Sequence, residues 1–283
     1  MTQPIPTSDT VTIAGAAPLT GQLFLPTGAA QAAVVIHGAT GIPQSYYRHF
    51  AHWLAHRKSV AVLTYDYRDF GASSVTPVAR SRATMADWGL HDQQAARDWL
   101  SSRFPDAPIW VIGHSLGGFM LPYQKRHTHI ARVITVASGP VHVRDHPWHY
   151  QVQARLFWYV HGPLLTRLLG YLPAKLSGLG ADIPGPVYWQ WRRWCTSRAF
   201  TDVDVGKSLP KADWRGPEAH VKFVAIADDQ MIPPATVWRL MEAYPGCYKR
   251  QLTIRPKDYG LTRIGHLSAF ARRNQAVWDD IVA

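Results

Sequence analysis

A serine in a glycine-rich turn is the clearest chemical signal in this sequence. Ser115 lies in the pentapeptide GHSLG at 113–117, directly after the apolar, β-branched run at 109–112. A serine hydroxyl becomes a strong nucleophile only when a base takes its proton, and a tight strand-to-helix turn would present its oxygen to such a base. Glycine at both ends of the pentapeptide would let the strand and the helix approach closely. The motif therefore predicts a nucleophile elbow at Ser115.

The partners that such a serine needs follow later in the chain. An apolar run at 221–227 predicts a strand that ends at Asp228 and Asp229, and His266 precedes an amphipathic segment at 267–282. An imidazole can accept the serine proton near neutral pH because its ordinary pKa is roughly 6.5, and a carboxylate can hold it in the required tautomer. We predict His266 as the general base and Asp229 as its carboxylate partner, with Asp228 as the alternative.

Candidate amide donors lie in a loop after an earlier strand. Residues 32–36 read as a buried strand, and the sequence HGATG follows at 37–41. Acyl transfer passes through a tetrahedral intermediate with a negative oxygen, and one fixed amide donor to that oxygen contributes about 3 to 4 kcal/mol. The N–H groups of Ala39 and Leu116 are the predicted oxyanion donors. Leu116 would open a helix, where its N–H has no partner within the helix.

Taken together, these motifs resemble the alpha/beta-hydrolase superfamily, in its serine esterase and lipase branch, over nearly all 283 residues. The segment YDYRDFG at 65–71 is similar to the family's strand-to-loop segment, and Gly265-His266 to its histidine loop. The run at 37–50 and a tryptophan-rich insert resemble bacterial predicted hydrolases without assigned substrates. The family often has glycine three residues before its acid, where this chain has Ile226.

The spacing of apolar residues predicts the elements that must position these groups. Strands are expected at 11–14, 21–25, 33–36, 59–64, 109–112, 132–137, 221–227 and 248–254. Helices are expected at 45–56, 84–102, 116–126, 234–244 and 267–282. After the first two strands the two types alternate, which is typical of an α/β fold. We expect an alpha/beta-hydrolase fold, with a mostly parallel eight-stranded sheet flanked by helices.

The alternation stops between residues 141 and 215. This stretch holds six of the twelve tryptophans, and glycine and proline divide it into short helical pieces at 148–159, 164–168 and 187–197. A cap over an acyl pocket needs apolar surface that excludes water. We predict a hydrolase core at 1–140 and 216–283, with a tryptophan-rich helical cap at 141–215.

Composition excludes several other classes of protein. The net charge is +11, but the basic residues are scattered as pairs and singles without a nucleic-acid-binding motif, so we expect a basic surface and no nucleic-acid partner. No apolar run approaches the roughly 20 residues that a membrane span needs, and residues 1–10 are unlike a signal peptide. These features predict a cytoplasmic protein without a membrane span, either a monomer or a homodimer.

Cysteine and histidine give no sign of a metal centre. Cys195 and Cys247 have no metal or redox spacing, so we expect two unpaired thiols. His49, His52 and His56 would share one face of a helix, but HWLAH lacks the glutamate of the HExxH zinc motif. We expect no metal and no cofactor.

The combined hypothesis is a serine hydrolase that cleaves a carboxylic ester or thioester of a small-molecule acyl substrate through an acyl-enzyme intermediate. Two alternatives stay open. An acyltransferase or an amide or peptide hydrolase would use the same triad, and a non-catalytic binding protein could keep the same fold.

Overall fold

A computed structural model describes residues 8–125, 130–215, 219–245 and 248–283. The strands in these ranges are β1 Asp9–Ile13, β2 Leu19–Phe24, β3 Ala33–His37, β4 Ala61–Tyr65, β5 Ile109–His114, β6 Ile130–Val136, β7 Tyr171–Leu172, β8 Ile183–Pro184, β9 His220–Ile226 and β10 Tyr248–Ile254. The α-helices are α1 Arg48–Lys58, α2 Met85–Asp87, α3 Gln93–Arg103, α4 Leu116–Phe119, α5 Trp148–Leu156, α6 Gly162–Leu169, α7 Ala174–Ser177, α8 Gly185–Thr196, α9 Pro234–Glu242 and α10 Trp278–Val282.

Eight of the strands form one sheet in the order β1-β2-β4-β3-β5-β6-β9-β10. β1 and β2 pair antiparallel, as do β2 and β4, and every neighbouring pair from β4 to β10 is parallel. This confirms the predicted eight-stranded, mostly parallel sheet with flanking helices. The central strands β3 and β4 are buried at every position, as expected for parallel strands that are covered on both faces.

Each face of the sheet carries its own apolar cluster. One cluster joins Val35, Leu63 and Phe223 to the chain between β6 and β9, and the other packs Val34 and Ile134 against α1 and α10. The carboxyl ends of the parallel strands meet at one edge of the sheet, so the loops after β3, β5 and β9 are brought together there.

The helix predicted at 116–126 is too long. α4 ends at Phe119 and a 3-10 turn at Leu121–Tyr123 follows, because the ring of Pro122 removes an N–H that a longer helix would need. Arg126, the predicted last residue, lies outside the described residues.

The helix predicted at 267–282 is also wrong over most of its length. The structure has a 3-10 stretch at Arg272–Val277 before α10, and Asn274 has the non-helical angles φ −105° and ψ 21°. The Asn274 side-chain amide donates to the Ser268 carbonyl at 2.8 Å. Such a side-chain bond satisfies the backbone locally and competes with the helical ladder.

The chain between β6 and β9 contains α5 to α8, with a π-turn at Phe157–His161 that joins α5 to α6. Its polar centre is the buried carboxylate of Asp204, which accepts bonds from Trp194 Nε1 at 2.8 Å and from the side chains of Arg193 and Gln190. Gln190 Oε1 also accepts the N–H of Ala86 at 2.9 Å. This bond ties α8 to α2.

Among the described helices, none combines the length and apolar character needed to cross a bilayer. Within the same ranges, no three His, Cys, Asp or Glu side chains come together where they could hold a metal ion. Cys195 is a free, buried thiol, and Cys247 lies outside the described residues.

Candidate active site

The turn between β5 and α4 holds Ser115 in a strained backbone conformation. Its φ is 54° and its ψ is −116°, a combination that side-chain-bearing residues rarely adopt. A Cβ atom at Gly113 would overlap the main chain of Gly117, and one at Gly117 would overlap the carbonyl of His37. Both glycines are therefore required for this close approach, and the turn lifts Ser115 out of the sheet.

Ser115, His266 and Asp229 form one hydrogen-bonded chain. His266 Nε2 lies 3.1 Å from Ser115 Oγ, and His266 Nδ1 lies 2.8 Å from Asp229 Oδ2. The imidazole and the carboxylate are both buried, so this contact is shielded from water. With Nδ1–H donated to the carboxylate, Nε2 is left to accept the serine proton.

The neighbouring aspartates have different partners. Asp229 Oδ1 accepts the main-chain N–H groups of Met231 and Ile232 at 2.8 and 2.9 Å, which fixes the carboxylate while Oδ2 faces His266. Asp228 accepts the N–H groups of Ile264 and Gly265 at 3.0 and 2.9 Å. Asp228 thus holds the backbone of the histidine loop, and Asp229 contacts the imidazole itself.

The loop after β3 differs from the prediction at Ala39. The Ala39 N–H donates to Tyr47 Oη at 2.9 Å, so this amide is committed to the phenol and not presented to Ser115. The next residue, Thr40, lines a small cavity together with Ser115 and Leu116. Leu116 is the first residue of α4, as the sequence predicts. The sequence did not single out Thr40, because the pattern HGATG does not show which main-chain N–H points toward Ser115.

A second histidine, His114, connects the loop after β3 with the loop that holds His266, a role that its place beside Ser115 in the sequence does not indicate. Its Nδ1 lies 2.9 Å from Tyr47 Oη, and its Nε2 lies 3.0 Å from the main-chain carbonyl of His266. The carbonyl can only accept, so Nε2 of the neutral ring carries the hydrogen and Nδ1 accepts the phenol proton of Tyr47. Burial, assisted by the nearby His266, lowers the pKa of His114 to about 3, so the ring is neutral.

Comparison with known proteins decides the family. A model of the alpha/beta hydrolase family matches residues 33–277. The chain belongs to the alpha/beta hydrolase family. A search of curated proteins finds no match for this alpha/beta hydrolase.

Several solved structures share the hydrolase fold. DcsB in complex with its substrate analogue is 12% identical, with 98% of each chain covered and a TM-score of 0.63. The enol-lactonase from Burkholderia xenovorans LB400 is 16% identical, with 94% of this chain and 95% of the other covered and a TM-score of 0.57. A thermophilic esterase from Thermogutta terrifontis is 16% identical, with 97% of each chain covered and a TM-score of 0.55. At these identities the likeness shows the fold alone.

Two cavities of the hydrolase meet at Ser115. The larger, of about 310 Å³, also contains His266 and has an aromatic wall formed by Tyr150, Phe157, Trp158 and Trp191. The smaller, of about 30 Å³, contains Ser115, Thr40 and Leu116 and is closed by Phe119, Trp194 and Phe200. The two cavities that meet at Ser115 therefore differ about tenfold in volume.

Cys195 lies at the boundary between the two cavities and lines both. Burial raises the pKa of its thiol to about 12, so the thiol stays protonated and acts as an apolar wall. The largest cavity of those described, of about 960 Å³, lies elsewhere, against Ala95, Trp99 and Tyr123, and contains none of the three hydrogen-bonded residues.

Proposed function

We propose that this protein is a serine hydrolase that cleaves a carboxylic ester or thioester through an acyl-enzyme intermediate. The observation that carries the proposal is the hydrogen-bonded chain from the partly buried Ser115 Oγ through the buried His266 to the buried Asp229, at a strained turn beside two cavities. This is the arrangement that activates a hydroxyl nucleophile near neutral pH.

In the acylation step, His266 Nε2 takes the proton from Ser115 Oγ as the oxygen bonds to the substrate carbonyl carbon. The bond from that carbon to the leaving oxygen or sulfur then breaks, and His266 returns the proton to the leaving atom. A water molecule then attacks the acyl carbon while His266 takes its proton. The bond from that carbon to Ser115 Oγ breaks, His266 returns the proton to Oγ, and the carboxylic acid is released. Asp229 orients the imidazole and stabilises its protonated form, with Asp228 holding the loop behind it.

The proposed oxyanion donors are the N–H groups of Thr40 and Leu116. Both residues line the small cavity beside Ser115, and the N–H of Leu116 lies at the start of α4. The commitment of the Ala39 N–H to Tyr47 favours Thr40 as the donor from this loop.

The chain at 141–215 is proposed to act as a cap over a core formed by 1–140 and 216–283. Residues of α5, the following π-turn and α8 supply the aromatic wall of the larger cavity, as a cap that shields an acyl-enzyme from water should.

A fluorophosphonate probe, which phosphonylates an activated serine, tests the proposal directly. The wild-type protein and the exposed-site control Ser74→Ala should be labelled and should hydrolyse short p-nitrophenyl esters, whereas Ser115→Ala should do neither. Labelling that persists in Ser115→Ala would move the nucleophile elsewhere. Labelling of the wild type without turnover of any ester would favour an acyltransferase or an amide hydrolase, and no labelling at all would favour a binding protein.

A further inference from the structure

The exposed apolar residues of this protein are concentrated in one region. Of twelve large hydrophobic side chains exposed among the described residues, nine lie between 148 and 176. Six of them are spaced four residues apart and are 54–82% exposed: Trp148, Val152, Leu156, Val160, Leu164 and Leu168. We call these six residues the apolar stripe. Single exposed apolar residues are common on protein surfaces, but a continuous row of this size marks an interaction site.

The six residues of the apolar stripe lie along one side of a continuous helical segment. α5, the π-turn at Phe157–His161 and α6 run without interruption from residue 148 to 169. Residues four apart drift by about 40° per step around an α-helix, and the wider π-turn partly reverses the drift. The pocket-facing residues Tyr150, Ala154 and Trp158 belong to the same helix. One side of the helix therefore lines the larger cavity while another presents the apolar stripe to solvent.

The charges around the stripe have one sign. The sequence contains no aspartate or glutamate between Asp145 and Asp182, and the chain carries a net charge of +11. The cations in this interval, Arg155, Arg167 and Lys175, are exposed, and in the described part of the chain none of them takes part in an ion pair. Arg155 donates instead to the neutral amide of Gln151 at 3.0 Å.

We propose that the apolar stripe docks this protein on the surface of an anionic lipid bilayer. A helix with an apolar face, flanking Arg and Lys and no acidic residues is suited to lie in the interface, with its side chains in the boundary between headgroups and acyl chains. The cations complement lipid phosphates. A second copy of the chain fits less well, because an isologous contact would set this positively charged surface against itself.

Docking through the apolar stripe would also bring the exposed part of the larger cavity's lining close to the lipid. Gln153 and Gly178 are exposed residues of the larger cavity's lining, and they lie next to the exposed Val152 and close to Leu176 in sequence. The substrate class that follows, which rests on the proposed function, is an apolar ester that partitions into lipid.

Sedimentation with sucrose-loaded vesicles tests the docking surface, using the full chain with Ser115→Ala so that no turnover contributes. Vesicles of phosphatidylglycerol and phosphatidylcholine in equal parts should pellet the protein, and added salt or vesicles of phosphatidylcholine alone should reduce the pelleted fraction. The triple variant Val152→Ser, Leu156→Ser, Leu168→Ser should bind at least about tenfold more weakly. The matched control Leu25→Ser, Val75→Ser, Tyr248→Ser changes three exposed apolar residues elsewhere and should bind like its parent.

The double variant Arg155→Gln, Arg167→Gln should also weaken binding to the anionic vesicles, although it leaves the apolar stripe intact.

A folding control uses the triple stripe variant with Ser115 unsubstituted. Its fluorophosphonate labelling should equal that of the wild type, which would show that the variant is folded. Equal pelleting of the stripe variant and its parent would overturn the proposal. The proposal would also be overturned if the parent protein failed to bind vesicles and light scattering showed that it is a dimer, with the stripe variant a monomer. If the protein binds vesicles but the wild type hydrolyses no ester, the docking proposal is retained and the proposed function is rejected.

Discussion

The imidazole of His114 donates through Nε2 to the main-chain carbonyl of His266, at 3.0 Å. On its other side the ring accepts from Tyr47, which also takes the N–H of Ala39. One buried side chain thus connects the loop after β3 with the histidine loop after β10. Because the carbonyl belongs to the proposed base itself, His114 is a positioning residue for His266.

This contact predicts a pH dependence of stability. The pKa of His114 is about 3 in the folded protein and roughly 6.5 in the unfolded chain, so below pH 6.5 the unfolded chain binds a proton that the folded protein does not. The stability that the neutral ring contributes is complete above about pH 6.5 and is lost as the pH falls toward 3. The expected slope is up to about 1.4 kcal/mol per pH unit.

Urea unfolding of the wild type and of His114→Gln, between about pH 7 and about pH 4, measures this effect. The variant should be less stable at neutral pH by about 1–3 kcal/mol, because buried partners lose their bonds, and its stability should fall less steeply with acid. His56→Gln, at an exposed position of α1, is the control and should follow the wild type. Parallel curves for the wild type and His114→Gln would contradict the prediction.

The two neighbouring aspartates should separate in function. Asp229→Asn leaves His266 in the wrong tautomer, so kcat for a p-nitrophenyl ester should fall by about three to four orders of magnitude while the fold is retained. Asp228→Asn loses a charged acceptor for two backbone amides, and it should lower the free energy of unfolding by about 1–3 kcal/mol with a much smaller effect on kcat. The reverse order of the two kcat values would assign the carboxylate role to Asp228.

The unequal cavities predict a preference for short acyl groups. His266 lines the larger cavity and must reach the leaving atom, so we expect the leaving group in that cavity. The acyl group should then occupy the cavity of about 30 Å³ that Phe200 helps to line. Naphthyl acetate should therefore be hydrolysed at least about tenfold faster than naphthyl octanoate, measured as kcat/KM.

Phe200→Ala should widen the small cavity and reduce this preference by accelerating the longer ester. Phe104→Ala, a matched change of a half-buried ring at the end of α3, should leave the ratio unchanged. A wild-type enzyme that prefers the octanoate would show that the acyl chain occupies the larger cavity.

The sequence by itself determined the parts of this protein that local chemistry controls. Alternating apolar runs predicted the eight-stranded sheet, and the pentapeptide around Ser115 predicted the turn, since only glycine fits where strand and helix backbones nearly touch. The order of Ser115, Asp229 and His266 could also be proposed from the chain, because strand ends at the carboxyl edge of a parallel sheet carry such groups.

Other features were decided only by tertiary structure. The Ala39 N–H is bonded to Tyr47, which lies in the helical region that follows the loop, and the link from His114 to His266 spans 152 residues. In place of the helix predicted at 267–282, the structure has a bend that is stabilised by the hydrogen bond between Asn274 and Ser268. Apolar periodicity records only which face of a segment is buried, and the direction of a single N–H or carbonyl is set by neighbours that are distant in the chain.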